Sequence, residues 1–251
     1  MTGYFIRNTI RHMTNHIQAI FFDLDGTLRH SVPEGGEASS AYVQTLGLRV
    51  NPEDRLRAAR WEYLYWASSP DLRDDLLAHS ADTENFWIEY SRRRLIALGA
   101  SPQQAVELAP KVSKHMGAEY KPESIVPADV RRTLPLLKQA GYSMAVVSNR
   151  DKPFQALLDS HDLSQFFTYA LAAGEVDSYK PDPGVFEHAL KHMDVTAQAT
   201  VYVGDNYYAD VVGARRAGLQ PVLYDPHFIF PDADCTTIRS FDELIPVIQA
   251  F

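Results

Sequence analysis

The 251-residue sequence predicts an α/β fold, a doubly wound Rossmann-like parallel sheet core with an inserted all-helical cap domain. Three observations support this prediction. The segment of residues 17–28 begins with an apolar run, which ends at Asp23 and Asp25, just before Gly26. This pattern is typical of a strand buried in a parallel sheet. Strand and helix patterns alternate through residues 127–250. Between these parts lie about ninety residues with helical periodicity and no convincing strand pattern.

The elements follow in order from this pattern. After the first strand, four cap helices are predicted from the spacing of apolar residues, at residues 37–46, 52–66, 83–98 and 102–120. Prolines in first-turn positions (Pro52, Pro102) and a stop at Gly99 support their limits. The later segment predicts helices and strands in alternation, with helices at 127–139, 153–160, 183–192, 210–217 and 241–250 and strands at 142–148, 167–172, 200–204 and 221–224.

The spacing of the strand ends locates the insertion. The gap from Asp23 to Ser148 is several times longer than the later gaps, so the cap is expected between the first two core strands. The predicted domains are an α/β core of residues 17–30 and 121–251, a helical cap of residues 31–120, and an N-terminal extension of residues 1–16.

Composition narrows the class of protein. A formal net charge of -8 argues against nucleic-acid binding, because no basic surplus exists to displace counterions from a phosphate backbone. The single cysteine, Cys235, cannot form an intramolecular disulfide and fits a reducing compartment. No apolar stretch approaches the roughly 20 residues of a membrane span. We therefore expect a cytoplasmic protein without a membrane partner, either a monomer or a homodimer.

Two carboxylates close the first strand. If the chain turns at Gly26, Asp23 and Asp25 converge beyond the carboxyl end of the strand, where open α/β sheets bind their ligands. Two neighbouring acids repel each other, so a cation is the natural third partner.

Four ordered motifs at strand ends resemble those of the haloacid dehalogenase (HAD) superfamily. They are DLDGT at residues 23–27, VVSN ending in Ser148 and Asn149, Lys180 in SYKPDPGVF, and GDNYYAD at residues 204–210. The position of the cap resembles subfamily I, in which helices are inserted between the first and second motifs. The resemblance covers the whole predicted core.

The resemblance implies a role for each motif residue. Asp23 would be the nucleophile that forms an aspartyl-phosphate, and Asp25 the general acid and then the general base. Mg²⁺ would be the cofactor, since a hard divalent ion neutralises both attacking and transferred groups. The resemblance further implies that Asp23, Asp205 and the backbone carbonyl of Asp25 bind the metal. Ser148, Asn149 and Lys180 would bind the substrate. Asp210 would not bind the metal directly but would orient a metal-bound water or Lys180.

The function that we expect is a Mg²⁺-dependent phosphatase acting on a small phosphorylated metabolite. The alternatives are a sugar phosphomutase, a 2-haloacid dehalogenase and a catalytically idle binding module of the same fold. Asp25 and Asp205 argue against a dehalogenase, because a departing halide needs no proton and that reaction needs no metal-binding acid. His30 and Ser31 stand where many relatives of the mutase and phosphoglycolate type carry an acid, which weakens those assignments.

The cap carries the candidate specificity residues. In the aromatic run at residues 61–66, Trp61 and Tyr65 share a helical face, for which packing within the cap is favoured over stacking on substrate. For the run Arg92–Arg94, a solvated helix face is the favoured interpretation, and binding of a second anionic group is the alternative. Arg150, beside the second motif, is the stronger candidate for contact with substrate.

Overall fold

The computed structural model describes residues 16–81 and 83–251. The strands in this part of the chain are β1 (Ala19–Phe22), β2 (His30–Val32), β3 (Glu123–Ile125), β4 (Ser143–Ser148), β5 (Tyr169–Ala172), β6 (Thr200–Gly204), β7 (Gln220–Tyr224) and β8 (Thr236–Ile238). The α-helices are α1 (Gly35–Thr45), α2 (Pro52–Trp66), α3 (Pro70–Ala78), α4 (Glu84–Ala97), α5 (Pro102–Glu119), α6 (Ala128–Gln139), α7 (Gln155–Ser160), α8 (Gly184–Met193), α9 (Val212–Arg216) and α10 (Leu244–Gln249).

The main sheet is six-stranded, with the order β5-β4-β1-β6-β7-β8 and parallel pairing throughout. Side chains of β1 alternate between the two faces, so Ile20 and Phe22 enter one apolar cluster while Ala19 and Phe21 enter the other. Helices cover both faces, which explains why the strands are apolar on both sides. The predicted fold class, with its helical insertion, is confirmed.

The cap, defined here as helices α1–α5, lies between β1 and β4 in the chain. Strands β2 and β3 flank it and pair with each other in antiparallel fashion, with His30 opposite Ile125. Neither of these short strands was predicted, nor was β8. The domain limits at residues 31 and 121 stay a prediction, and residues 1–15 of the predicted extension lie outside the described residues.

Helix α3 was also missed, and its composition explains why. Ser69 caps the helix by accepting a hydrogen bond from the backbone N–H of Leu72 at 3.1 Å, and Pro70 opens it. Leu76 and Leu77 are exposed, whereas the residue that α3 buries is Asp75. No apolar stripe therefore marks this helix, although its cap sequence was a usable signal.

The predicted helix at residues 210–217 begins earlier in the structure. A π-helical turn, Tyr207–Val211, precedes α9, and the Asn206 side chain accepts hydrogen bonds from the backbone of Tyr208 and Ala209. The side chain that starts the turn thus satisfies two backbone N–H groups that would otherwise lack partners. Over the described residues, none of the helices combines the length and apolar character that crossing a bilayer requires.

Candidate active site

Three neighbouring strands bring the predicted residues to one edge of the sheet. Asp23 follows β1, Ser148 ends β4, and Asp205 follows β6. Because β1 pairs in register with β4 on one side and β6 on the other, their carboxyl ends lie side by side. Lys180 enters the same edge from the loop before α8.

The Lys180 ammonium is the centre of the buried network. Its Nζ donates hydrogen bonds to Asp23 Oδ1 at 2.6 Å, Asp210 Oδ1 at 2.7 Å and the Tyr202 hydroxyl oxygen at 2.8 Å. Only 2% of the Lys180 side chain is exposed. Burial opposes the charged form, but the charges of Asp210 and Asp23 outweigh it and raise the pKa of Lys180 well above its usual range. Lys180 therefore stays an ammonium ion.

One lysine does not balance the acids around it. Oxygens of Asp23, Asp205 and Asp210 lie within 4.8 Å of one another, and all three residues are buried or nearly so. Burial raises the pKa of Asp23 to about 7, with Lys180 opposing the shift and Asp210 adding to it. Burial also raises the pKa of Asp205, and the charges of Asp23 and Asp210 add to that effect. Clustered carboxylate oxygens short of positive charge fit a hard divalent ion such as Mg²⁺.

Asp205 is held between the core and the cap. Thr27 Oγ1 donates to its Oδ1 at 3.0 Å, and the hydroxyl of Tyr63, from α2 of the cap, donates to its Oδ2 at 3.1 Å. Gly26 has a φ of +89°, and a Cβ there would lie 2.2 Å from Asp205 Oδ2. Glycine is thus required at this turn both for the left-handed backbone and for the close approach of the carboxylate.

Backbone contacts fix the other motif residues. The N–H of Asn206 donates to Asp210 Oδ2 at 2.9 Å, which leaves Oδ1 for Lys180. Asn149 Oδ1 accepts from the Lys180 backbone N–H at 2.7 Å, and Asn149 Nδ2 donates to the Lys180 carbonyl at 2.9 Å. Asn149 therefore positions the loop that carries Lys180, and its amide is already occupied in this role.

The Asp25 side chain faces a different environment from that of Asp23. Arg150 donates to both of its oxygens, from Nε at 2.7 Å and from Nη2 at 2.9 Å, and Arg29 donates to Oδ1. Burial works against the ionised form, but the hydrogen bonds and charges of Arg150 and Arg29 prevail and lower the pKa of Asp25. The side chain is 39% exposed, so it lies on the open side of the site.

Sequence reasoning missed part of this arrangement. Tyr63 reaches Asp205 only because the cap folds over the core, and nothing in the spacing of the sequence places it there. Tyr202 donates to the Val147 carbonyl at 2.7 Å and accepts from Lys180. The sequence did carry a signal for Tyr202, because a tyrosine inside a buried strand needs a polar partner for its hydroxyl.

The cap arginines are already paired in the structure. Arg92 contacts Glu89, Arg93 contacts Asp75, and Arg94 contacts Glu62, so each guanidinium serves a partner within the cap. The ring centroids of Trp61 and Tyr65 are 5.0 Å apart, and Tyr65 packs 5.3 Å from Tyr90 of α4.

Comparisons with known proteins agree with this architecture. A family model described as a haloacid dehalogenase-like hydrolase matches residues 17–218. The chain is 30% identical over 212 residues to a ribulose-1,5-bisphosphate 5-phosphatase of Halopiger xanaduensis, covering 83% of this chain and 84% of that protein. It is 29% identical over 203 residues to a phosphoglycolate phosphatase of Pseudomonas savastanoi pv. phaseolicola, covering 80% of this chain and 66% of that protein.

Solved structures share the fold over almost the whole chain. A 2-haloacid dehalogenase from Pseudomonas syringae pv. Tomato aligns with a TM-score of 0.53 at 26% identity, covering 93% of this chain and 98% of that one. The putative HAD-hydrolase YfnB from Bacillus subtilis, in a structure bound to magnesium, aligns with a TM-score of 0.56 at 17% identity. That alignment covers 93% of this chain and 99% of the other, and at this identity it supports the fold alone.

Proposed function

This chain belongs to the haloacid dehalogenase-like hydrolase family, and from that membership we propose a Mg²⁺-dependent phosphatase that uses an aspartyl-phosphate intermediate on a small metabolite. The observation that carries the proposal is the buried contact of Lys180 with Asp23 and Asp210, beside Asp205. The cluster has a nucleophile, a phosphate-binding cation and metal-binding acids within one site. The similarity to two phosphatases gives further support.

The residues proposed to hold Mg²⁺ are Asp23, Asp205 and the backbone carbonyl of Asp25. When bound, the ion would neutralise charge on the phosphoryl oxygens and lower the barrier to attack by an anion. The carbonyl, rather than the carboxylate, of Asp25 suits this assignment because Arg150 occupies both carboxylate oxygens. Asp210 is assigned an indirect role through its contact with Lys180.

In the first step an Asp23 oxygen bonds to phosphorus while the ester P–O bond breaks. The leaving oxygen takes a proton from Asp25, so the product is a neutral alcohol. In the second step water attacks phosphorus and gives its proton to Asp25, and the bond between phosphorus and Asp23 breaks to release inorganic phosphate. The Ser148 hydroxyl and the Lys180 ammonium hold the phosphoryl oxygens during both steps.

Asp25 must gain a proton before the first step, and its arginine contacts oppose this. The negative oxygens of a bound phosphoester compete with Asp25 for the guanidinium of Arg150. Loss of that partner raises the pKa of Asp25 and favours the protonated form. Once the leaving group has taken the proton, the Arg150 contact favours the carboxylate form of Asp25, which is the form that accepts the proton of water in the second step.

The test is phosphate release from a panel of aliphatic, sugar and aryl phosphomonoesters, with Mg²⁺ and with a chelator. We expect turnover that depends on the metal and falls at least about a thousandfold in Asp23→Asn. Asp232→Asn removes an exposed carboxylate that belongs to none of the four motifs, and this control should retain the wild-type rate.

Three outcomes would contradict the proposal. Phosphate release that persists in Asp23→Asn would exclude Asp23 as the nucleophile. Isomerisation of a sugar phosphate without phosphate release would indicate a mutase, and halide release from a 2-haloacid would indicate a dehalogenase.

A further inference from the structure

The cap contains a cavity of about 610 Å³ between α1, α2, α4 and α5. This volume is in the range that holds a small organic molecule. Much of the wall is aromatic or apolar, from Trp66, Trp87, Tyr90, Val112 and Met116. We propose that this cavity binds the leaving group of the substrate and selects an uncharged, flat, apolar alcohol. The inference rests on the proposed phosphatase function.

The two tryptophans present the wall that would recognise a ring. Trp66 and Trp87 are 37% and 43% exposed, and their ring centroids are 6.2 Å apart. Their neighbours Tyr65 and Phe86 are buried, so the cap already has a packed aromatic core behind them. Large aromatic side chains left uncovered inside a cavity favour a flat apolar ligand that stacks on them.

The charges in the wall do not favour an anion. Two acids and two bases line the cavity (Glu62, Glu84, Arg94 and Lys114), so their formal charges cancel. Arg94 is 5% exposed and donates to Glu62 at 3.3 Å and to the Gly36 carbonyl at 2.7 Å.

Further bonds complete this pairing. Arg94 also donates to the hydroxyls of Ser39 and Ser40, and Glu62 accepts from the Tyr90 hydroxyl at 2.5 Å. A ligand carboxylate or second phosphate would have to displace these contacts before it could pair with the Arg94 guanidinium. An uncharged ligand would leave them intact.

A chain of contacts links the cavity to the reacting atoms. Tyr120 lines the cavity, and its hydroxyl donates to the carbonyl of Pro33 at 3.0 Å, directly after strand β2, which carries Ser31. Ser31 Oγ accepts from Arg29 Nη2 at 2.6 Å, and the same guanidinium contacts Asp25. Asp25 is the proposed donor of a proton to the leaving oxygen. The wall of the cavity is therefore connected to Asp25 through these residues, and the proposal is that the organic part of the leaving group extends from Asp25 toward the cavity.

The chain offers a way to fill the cavity without disturbing its walls. Gly117 lines it from α5, and a Cβ built there would meet no atom within 4 Å. A Gly117→Phe side chain would therefore start in open space and compete with the ligand. Trp87→Ala removes a stacking surface instead. Leu77→Ala, on the 87% exposed Leu77 of the cap, is the matched control outside the cavity.

The first experiment compares kcat/KM for 1-naphthyl phosphate and phosphoglycolate in the Mg²⁺-loaded protein. We expect the naphthyl ester to be preferred, and the ratio of the two values to fall about tenfold in Gly117→Phe and in Trp87→Ala. Leu77→Ala should leave the ratio unchanged. A ratio that is the same in all four proteins, or a preference for phosphoglycolate, would overturn the proposal.

The second experiment separates failure of the cavity from failure of the catalytic proposal. 1-Naphthol is titrated into Asp23→Asn while tryptophan fluorescence is followed, so that no turnover is needed. We expect naphthol to quench the fluorescence, and we expect Gly117→Phe, added to the Asp23→Asn protein, to weaken the affinity for naphthol at least about tenfold. That result would support the cavity as the binding site. No quenching would overturn it. Binding of naphthol in a protein that hydrolyses none of the esters would overturn the assignment as a leaving-group site.

Discussion

The core site gathers three carboxylates around one lysine, whereas the cap cavity gathers aromatic rings around an ion pair that is already matched. In the core, burial without enough positive charge raises the pKa of Asp23 and Asp205, which suits a site that takes a cation and a phosphoryl group. In the cap, Glu62 and Arg94 satisfy each other and leave apolar surface for a ligand. The proposed chemistry and the proposed selectivity thus rest on two different electrostatic backgrounds.

This difference predicts that charge substitutions matter most in the core. Lys180→Met removes the buried cation between Asp23 and Asp210, and we expect a loss of about 3–5 kcal/mol in the free energy of unfolding. The loss should shrink as the pH falls, because Asp23, whose pKa burial raises, can then bind a proton. Denaturant unfolding in the presence of a chelator, at neutral and acidic pH, measures both effects.

Lys111→Met is the control for that substitution. Lys111 pairs with Glu107 at 3.3 Å on the exposed face of α5, so its removal should change the free energy of unfolding by less than about 0.5 kcal/mol. Equal effects of the two substitutions would show that the core site is not electrostatically distinct from the protein surface.

An intermediate effect is expected where the two regions meet. The Tyr63 hydroxyl is the cap group that contacts the acidic cluster, through Asp205. Its pKa is raised by burial and by the charge of Asp205, so it remains a donor. We expect Tyr63→Phe to weaken Mg²⁺ binding about tenfold, since partners of metal ligands typically have effects of this size. Calorimetric titration with Mg²⁺ measures the change.

Tyr207→Phe is the matched control, because it removes a tyrosine hydroxyl that donates to Asp234 at an exposed position. Its Mg²⁺ affinity should equal that of the wild type. Unchanged affinity in Tyr63→Phe would mean that the cap contributes packing alone at this contact.

The smallest effect is expected at the exposed ion pair between cap and core. His227 and Glu34 lie 3.3 Å apart, with side chains 59% and 55% exposed. The Glu34 contact raises the pKa of His227 above 6.5, and the His227 contact lowers the pKa of Glu34 below 4.5. Protonated His227 therefore contributes its full stabilisation to the folded state below the pKa that it has in the unfolded chain. This contribution is lost as the pH rises through the raised pKa of His227 in the folded state.

His227→Gln should accordingly lower the free energy of unfolding by roughly 0.2–0.5 kcal/mol near pH 6 and by almost nothing near pH 9, because exposed pairs are screened by solvent. Parallel unfolding curves at the two pH values test this. A larger loss at the alkaline pH would contradict the sign of the linkage.

The strand ends were the most predictable part of the molecule. An apolar run that closes in acids, as at Asp23 and Asp205, identifies both a buried strand and its ligand-facing end from local sequence. Helix α2 matched its predicted limits because Asn51 forms a capping box and Pro52 opens the helix. Such signals lie within a few residues of the feature they specify.

The contacts of Tyr63 and Arg150 were not predictable in this way. Each depends on how distant segments of the chain pack. Tyr63 contacts Asp205, which is 142 residues away in the sequence, and Arg150 contacts Asp25, which is 125 residues away. The cap cavity has the same origin, since four helices form its wall. Strands β2, β3 and β8 have three residues each, too few to establish an alternating pattern.

The pairing of β2 with β3 has a mechanical consequence. The chain leaves for the cap and returns from it through two segments that are hydrogen-bonded to each other, with Ser31 opposite Ser124. A swing of the five helices must bend this ribbon as one strip, so its two sides cannot flex independently. We therefore expect entry and exit of small molecules to follow a single hinge direction, in which the Tyr63 and His227 contacts separate together.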